Sequence, residues 1–323
     1  MGDPMSAPML YFACPDVSEP AGGVKVIYRH VEILRRNGFR ASVLHRRRGF
    51  RCGWFESAAP AASAETVRVR PEDILVFPET CVGDSSWEKV GAPSVIFNQN
   101  AYRTFDRSAL GVRDDQSLYR RVRAAVVVSE DSRRYLRHAF PKLSVHRVRV
   151  GIDASVFGCS GRKKRQIAFM PRKLLEDAVQ VLKILEARGA LKGVRVVPIQ
   201  HQDEREVARI LRESLIFLSF SVQEGCPLPP LEAMACGCFV IGYPGRGGRE
   251  YFRPAFCRTI ADGDVLGFSQ AVEEVLKSSG TGRAAVSRFA RDASRYALSR
   301  YSLRAEESSV IRVWKRIAGD AAA

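Results

Sequence analysis

Short apolar runs alternate with amphipathic stretches along almost the whole chain, and this alternation constrains the fold more than any other feature. Leu10–Cys14, Ala41–Leu44, Ile74–Phe77, Ser94–Phe97 and Ala125–Val128 are apolar at successive positions. They are too short for helices and read as parallel strands buried on both faces. Between them, Val24–Asn37 places Val24, Ile27, Val31 and Leu34 at helical spacing before Gly38. Glycine there can adopt the left-handed conformation that closes a helix. Asp131–Ala139 reads as a helix ending before Pro141. The scheme then repeats: strand Ile167–Met170, helix Leu174–Arg188, strand Val194–Ile199, helix Glu204–Glu213 and strands Leu215–Ser219 and Phe239–Tyr243. Helices over 264–278, 283–299 and 303–317 finish the chain. Such alternation predicts α/β architecture with doubly wound parallel sheets. A chain of 323 residues can bury two such cores. Gly151–Gly161 marks the boundary, ahead of the basic run Arg162–Arg165. The Ala/Ser stretch 57–64 reads as a loop.

Residues 219–250, SFSVQEGCPLPPLEAMACGCFVIGYPGRGGRE, carry the most chemistry. Ser221–Leu228 is a loop beyond a strand's carboxyl end. Pro229 and Pro230 suit a first helical turn, where N–H groups lack intrahelical partners. The spacing predicts a helix over Leu231–Cys236, with Glu232 in its first turn and Glu224 in the loop. An ionised carboxylate only accepts hydrogen bonds, through two oxygens, and a vicinal diol offers two donors. Glu232 therefore suits a ribose diol and Glu224 the hydroxyls of a hexose. Gly247 and Gly248 offer open backbone for phosphates. Solvated surface acids are the competing reading for an isolated Glu pair.

The segment EGCPLPPLEAMACGCFVIGYPGRGGRE resembles the donor-site signature of glycosyltransferase family 4, within the GT-B fold. AGGVKVIYRHVEILRRNGFRASVL (21–44), AAVVVSEDSRRYLRHAF (124–140), VRVGIDASVF (148–157) and QIAFMPRK (166–173) resemble further family segments in the same order. The resemblance implies two doubly wound Rossmann-like domains with a cleft between them. Residues 1–155 would bind the acceptor and 156–302 the nucleotide-sugar, with 303–323 crossing back to the first domain. It implies retaining transfer from a nucleotide-diphospho-sugar to a hydroxyl acceptor. Glu224, Arg172 and Lys173 would be catalytic. Gly225, Cys226, Pro227, Leu228, Glu232, Gly247 and Gly248 would bind the donor. Gly22, Gly23, Asn98, Gln99 and Asn100 would face the acceptor.

Residue chemistry bears on each assignment. Arg172 and Lys173 follow a strand, and cations there would stabilise charge growing on a leaving diphosphate. The family usually has its lysine several residues after the arginine, and Asp177 lies where a second cation would be sought. Gly22-Gly23 is either a plain turn or a backbone site at a helix start. Relatives often carry histidine where this chain has Asn98-Gln99-Asn100. These amides either orient an acceptor or cap a loop, but none is a strong base. Cys226-Pro227 replaces the usual Phe-Gly, and Pro227 has no N–H for a sugar hydroxyl. Asp262-Gly-Asp264 reads as a turn before a helix rather than a metal site, so neither metal nor organic cofactor is expected.

The charge of +16 is spread rather than concentrated in a tail: residues 1–150 hold 24 Lys/Arg against 16 Asp/Glu. It reads either as a soluble basic surface or as attraction to an anionic or lipid-linked acceptor with peripheral contact to an anionic membrane. With no aromatic-basic platform, nucleic acid is the weaker reading. A sugar-nucleotide epimerase or phosphorylase of the same fold is the main enzymatic alternative. No run reaches the length of a membrane span, no secretory leader is apparent, and eight scattered cysteines read as free thiols. A cytoplasmic protein is the resulting expectation. Met1-Gly2 with Ser6 fits a loose myristoylation pattern, and equally an appended leader before Met5.

Overall fold

The computed structural model describes residues 7–19, 21–81, 91–105, 116–160, 162–278 and 283–319. The Met1–Ser6 pattern and Gly161 lie outside them. The chain divides into two compact units, residues 1–150 with 306–323, and residues 151–305.

The N-terminal unit is built on seven parallel strands in the order β3-β2-β1-β4-β5-β6-β7. They are β1 Leu10–Ala13, β2 Ala41–His45, β3 Ala61–Ser63, β4 Ile74–Pro78, β5 Ser94–Asn98, β6 Ala124–Val127 and β7 Val145–Arg147. The central strands are buried along their length, as their continuous apolar sequence requires. Two strands lacked a sequence signal. Ala61–Ser63 extends the sheet where a loop was expected, because it pairs with β2 through its backbone and needs no apolar pattern. Val145–Arg147 closes the opposite edge beside β6 in the same way.

Helix Gly22–Arg36 follows β1 and buries Val24, Ile27, Val31 and Leu34. Gly22 and Gly23 are therefore its first helical residues rather than a preceding loop, with Ala21 as the N-cap. Gly38, at φ +84°, ends it. The Phe39 N–H reaches the Leu34 carbonyl at 3.0 Å and the Gly38 N–H reaches that of Arg35 at 3.2 Å, the paired bonds of a Schellman cap. The loop leading to this helix is anchored by Asp16. Burial alone would raise the Asp16 carboxyl, but hydrogen bonds from the Arg47 N–H, His45 and the Arg46 N–H outweigh it and hold it low. His45 Nδ1 lies 2.9 Å from Asp16 and its Nε2 lies 2.6 Å from the Tyr28 hydroxyl.

Helix Leu303–Gly319 packs on this unit from Glu306 onward. Arg29 pairs with Glu306 at 3.0 Å and Arg36 with Glu307 at 2.7 Å. Beneath them the buried Trp314 indole donates to His30 Nε2 at 2.6 Å.

The second unit holds five parallel strands in the order β12-β11-β10-β8-β9. They are β8 Lys164–Phe169, β9 Arg195–Pro198, β10 Ser214–Ser221, β11 Phe239–Pro244 and β12 Cys257–Thr259. β12, at the edge, is another strand without a sequence signal. Helices Leu175–Ala187, Glu204–Glu213, Leu228–Ala235, Val265–Ser278 and Arg283–Arg300 connect or cover them. The core of one face joins Ile167, Val181, Ile216, Leu218, Ile241 and Phe268. Among the described residues no helix is long and apolar enough to cross a membrane. All eight cysteines are free thiols.

Two predictions follow from this packing. Gly242 sits at φ +131°, and a Cβ there would lie 2.2 Å from the Ser219 carbonyl oxygen and 2.6 Å from Phe268. Gly242→Ala should therefore cost roughly 3 kcal/mol or more in urea unfolding, from overpacking and backbone strain together. Burial holds His30 down to about 3, assisted by the Arg29 charge, against an ordinary value near 6.5. Between those values the unfolded chain binds the extra proton, so this site's contribution to stability falls as pH drops from 6.5 toward 3. His30→Gln retains an acceptor for Trp314 and does not titrate. The stability difference between wild type and this variant should shift in the variant's favour as pH falls, as followed by urea midpoints.

Candidate functional site

In the second sheet, β8 leads to β9 on one side, while β10 leads to β11 on the other. The loops after β8 and β10 thus diverge and open a crevice between their carboxyl ends, the usual ligand position in open α/β sheets. Arg172 and Lys173 lie just beyond β8, and Glu224 just beyond β10. The Lys173 ammonium donates to Glu224 Oε1 across this crevice, so residues 51 apart in sequence meet there. Arg172 is exposed beside the pair.

The backbone next to both partners is strained. Leu174 has φ 46° and Gln223 has φ 49°. Among the described residues the third non-glycine residue with positive φ, His201 at 53°, also follows a strand end, that of β9. Left-handed conformations cost an L-residue free energy and persist where surrounding structure imposes them, as at ligand sites. The strained residues adjoin Lys173 and Glu224 directly.

The loop after β10 is tied down behind Glu224. The Gly247 N–H donates to the Glu224 carbonyl at 2.9 Å. The Tyr251 hydroxyl donates to the Pro227 carbonyl at 2.5 Å. Gly245–Gly248, where Gly247 and Gly248 were expected as open backbone, forms one helical turn after β11. Added side-chain carbons would come within 3.1 Å of Pro227 at Gly245, and within 3.1 Å of Tyr251 and 3.2 Å of Pro227 at Gly248. Close packing against Pro227 thus accounts for two of these glycines. It also corrects the reading of Gly247 as open backbone, because its N–H already serves Glu224.

Glu232 lies on helix Leu228–Ala235, half-buried. The helix starts three residues earlier than expected, because Leu228 and Pro229 both fit its first turn after Pro227. Glu232 is consequently in the second turn. Gly237, at φ +81°, closes this helix, with the Cys238 N–H on the Ala233 carbonyl and the Gly237 N–H on that of Met234, both at 2.8 Å. Gly225 is buried, and Cys226 and Leu228 are half-buried.

The acids singled out elsewhere have local partners. Asp177 accepts from the Tyr243 hydroxyl at 2.7 Å. Asp262 pairs with Arg246 at 3.1 Å, and Asp264 accepts from the Gly267 N–H at 2.8 Å, capping a helix. Among the described residues no group of three or more His, Cys, Asp or Glu could hold a metal ion.

In the N-terminal unit the three amides separate. Asn98 is fully buried, and its Nδ2 donates to Thr104 at 3.1 Å and Tyr119 at 2.8 Å. That corrects its reading as an acceptor contact, since its donors brace the protein interior. Asn100 caps the short turn Ala101–Arg103, accepting from the Tyr102 N–H at 3.2 Å. Only Gln99 reaches toward the glycines, donating to the Gly23 carbonyl at 3.0 Å. Its own N–H donates to Glu79, a residue the sequence did not single out. An acid directly after the apolar strand Ile74–Pro78 was the available signal.

Comparison with known proteins agrees with this architecture. Residues 176–293 match the family described as Glycosyl transferases group 1. An alpha-1,6-glucosyltransferase of Actinobacillus pleuropneumoniae serotype 7 (strain AP76) is 26% identical over 310 residues, covering 92% of this chain and 91% of that protein. Sucrose-phosphate synthase from Thermosynechococcus elongatus superposes with a TM-score of 0.74 at 12% identity, over 97% of this chain and 100% of that one. HepE from Anabaena, solved with UDP, gives 0.71 at 12% identity, over 96% and 100%. The catalytic domain of starch synthase IV from Arabidopsis thaliana, bound to ADP and acarbose, gives 0.62 at 11% identity, over 98% and 99%. With the parallel sheets and the group 1 match, these similarities identify the chain as a glycosyltransferase of GT-B fold.

Proposed function

We propose that the chain is a retaining transferase of the family 4 type, moving a sugar from a nucleotide-diphospho-sugar to a hydroxyl acceptor. The observation that carries this reading is the Lys173–Glu224 pair at the β8/β10 switch point, flanked by two strained residues. The UDP and ADP in the similar structures support a nucleotide donor.

The second unit holds the donor. Glu232 accepts from the ribose diol, and Arg172 binds diphosphate oxygens. A guanidinium suits this role because it is always charged and can bind two oxygens at once. Lys173 exchanges Glu224 for phosphate when the donor arrives, which frees Glu224 to accept from sugar hydroxyls. Cations placed where the leaving diphosphate gains charge favour the transition state over the ground state. Arg172 and Lys173 meet that charge without a metal ion. The acceptor hydroxyl approaches the face from which the diphosphate departs, and the diphosphate helps to take its proton. This chemistry retains the anomeric configuration and needs no dedicated protein base. The N-terminal unit holds the acceptor through a neutral hydroxyl, and the charge of +16 favours an acceptor whose anionic or lipid-linked portion lies away from that hydroxyl, at the inner face of a membrane.

The donor-holding residues and Glu224 make different predictions. Arg172→Ala and Glu232→Ala should each weaken binding of a UDP- or ADP-sugar about tenfold or more, the scale of one charge-assisted hydrogen bond. Undiminished binding in both variants would reject the donor site. Glu224→Gln should leave binding of the bare nucleotide diphosphate unchanged or tighter, because Lys173 loses its competing carboxylate. Its kcat should fall by roughly a hundredfold, the scale of losing one group that acts in the transition state. Calorimetric titration and initial rates separate these effects.

A further inference from the structure

The N-terminal sheet has its own switch point. The chain leaves β1 toward β2 on one side and β4 toward β5 on the other, so a ligand crevice opens beyond the ends of β1 and β4. Gly22 and Gly23 stand on the β1 side, at the start of helix Gly22–Arg36. Glu79 stands on the β4 side, as the first residue of the turn Glu79–Cys81. Gln99 links the two sides. Its N–H donates to Glu79 Oε2 at 3.0 Å, and its side-chain amide donates to the Gly23 carbonyl at 3.0 Å.

We propose that Glu79 is the acceptor-binding residue, taking an uncharged sugar hydroxyl at the β1/β4 switch point. The word acceptor rests on the glycosyl-transfer reading above; the site itself does not.

Two independent observations support the assignment. The first is the environment of the carboxyl. Burial pushes Glu79 up to about 7, against hydrogen bonds from the Gln99, Glu79 and Asn100 N–H groups and the charge of Arg103. A carboxyl kept this far from its ordinary range, on a residue that is half-buried overall, marks a candidate functional position. Near neutrality both its forms are populated. A sugar hydroxyl can donate to the carboxylate or accept from the acid, whereas an anionic group at this point meets repulsion from the carboxylate.

The second observation concerns the glycines opposite. Neither Gly22 nor Gly23 has positive φ. A Cβ on Gly22 would meet nothing within 4 Å, and one on Gly23 would make ordinary contact with Gln99 at 3.4 Å or more. The described structure therefore does not require glycine at either position. Bare backbone at both positions leaves room for a ligand to approach closely. Gln99, Glu79 and this open backbone together form one surface for a hydroxylated ring.

Saturation-transfer NMR on the full chain tests the proposal. The probes are methyl α-glucoside, methyl α-galactoside, methyl α-mannoside and methyl α-glucuronide, first alone and then with UDP or ADP. Wild type should give signal from at least one neutral glycoside and a weaker one from the glucuronide. In Glu79→Ala the neutral signal should fall about tenfold, as expected for loss of a charged hydrogen-bond partner. Glu79→Gln keeps the side-chain shape and removes the charge, so the glucuronide signal should rise toward the neutral one. No signal from any neutral glycoside, or an unchanged glucuronide-to-neutral ratio in Glu79→Gln, would overturn the proposal. If nucleotide fails to bind while the sugar signals behave as stated, the donor reading falls and this site stands. Intact nucleotide binding with insensitive sugar signals gives the reverse.

Discussion

A lysine and a glutamate facing each other across the end of a parallel sheet organise the proposed site. Lys173 and Glu224 lie beyond β8 and β10, where the chain departs in opposite directions. Each charge offsets part of the other's desolvation in the unliganded site. Each is also well suited to a different part of an activated sugar, the cation to diphosphate and the anion to hydroxyls. In the proposed cycle the pair is a resting state that the donor takes apart. The strained backbone at Leu174 and Gln223 fixes where the two side chains begin, and the Gly247–Glu224 and Tyr251–Pro227 hydrogen bonds hold the loop from behind.

The two units use the same topological device with different chemistry. In each, strands diverge and leave a crevice at their carboxyl ends. The second unit lines its crevice with Arg172, Lys173 and Glu224. The first lines its crevice with Gln99, Glu79 and bare glycine backbone. The charge difference follows the proposed ligands: a diphosphate requires cations, and a neutral hydroxyl requires groups that both donate and accept.

Much of this was legible in the sequence. Strands buried on both faces are apolar at every position, so β1, β2, β4, β5 and β6 could be read directly. Glycine caps fixed the ends of helices Gly22–Arg36 and Leu228–Ala235. The edge strands Ala61–Ser63, Val145–Arg147 and Cys257–Thr259 were missed because backbone pairing at a sheet edge needs no apolar pattern. The candidate-site segment was visible because Glu224, Pro227, Glu232 and Gly247 lie close along the chain. Glu79 was not, because its character comes from β5, the Gln99 N–H and burial, none of them adjacent in sequence. Asn98 shows the opposite error: an amide at a strand end looks functional until its donors are traced to Thr104 and Tyr119.

A crystal structure of the chain with bound UDP or ADP tests the central claim most directly. The account predicts diphosphate oxygens within hydrogen-bond distance of Arg172 or Lys173, ribose hydroxyls on Glu232, and the Lys173–Glu224 contact broken. A nucleotide bound elsewhere, with that contact intact, would contradict it.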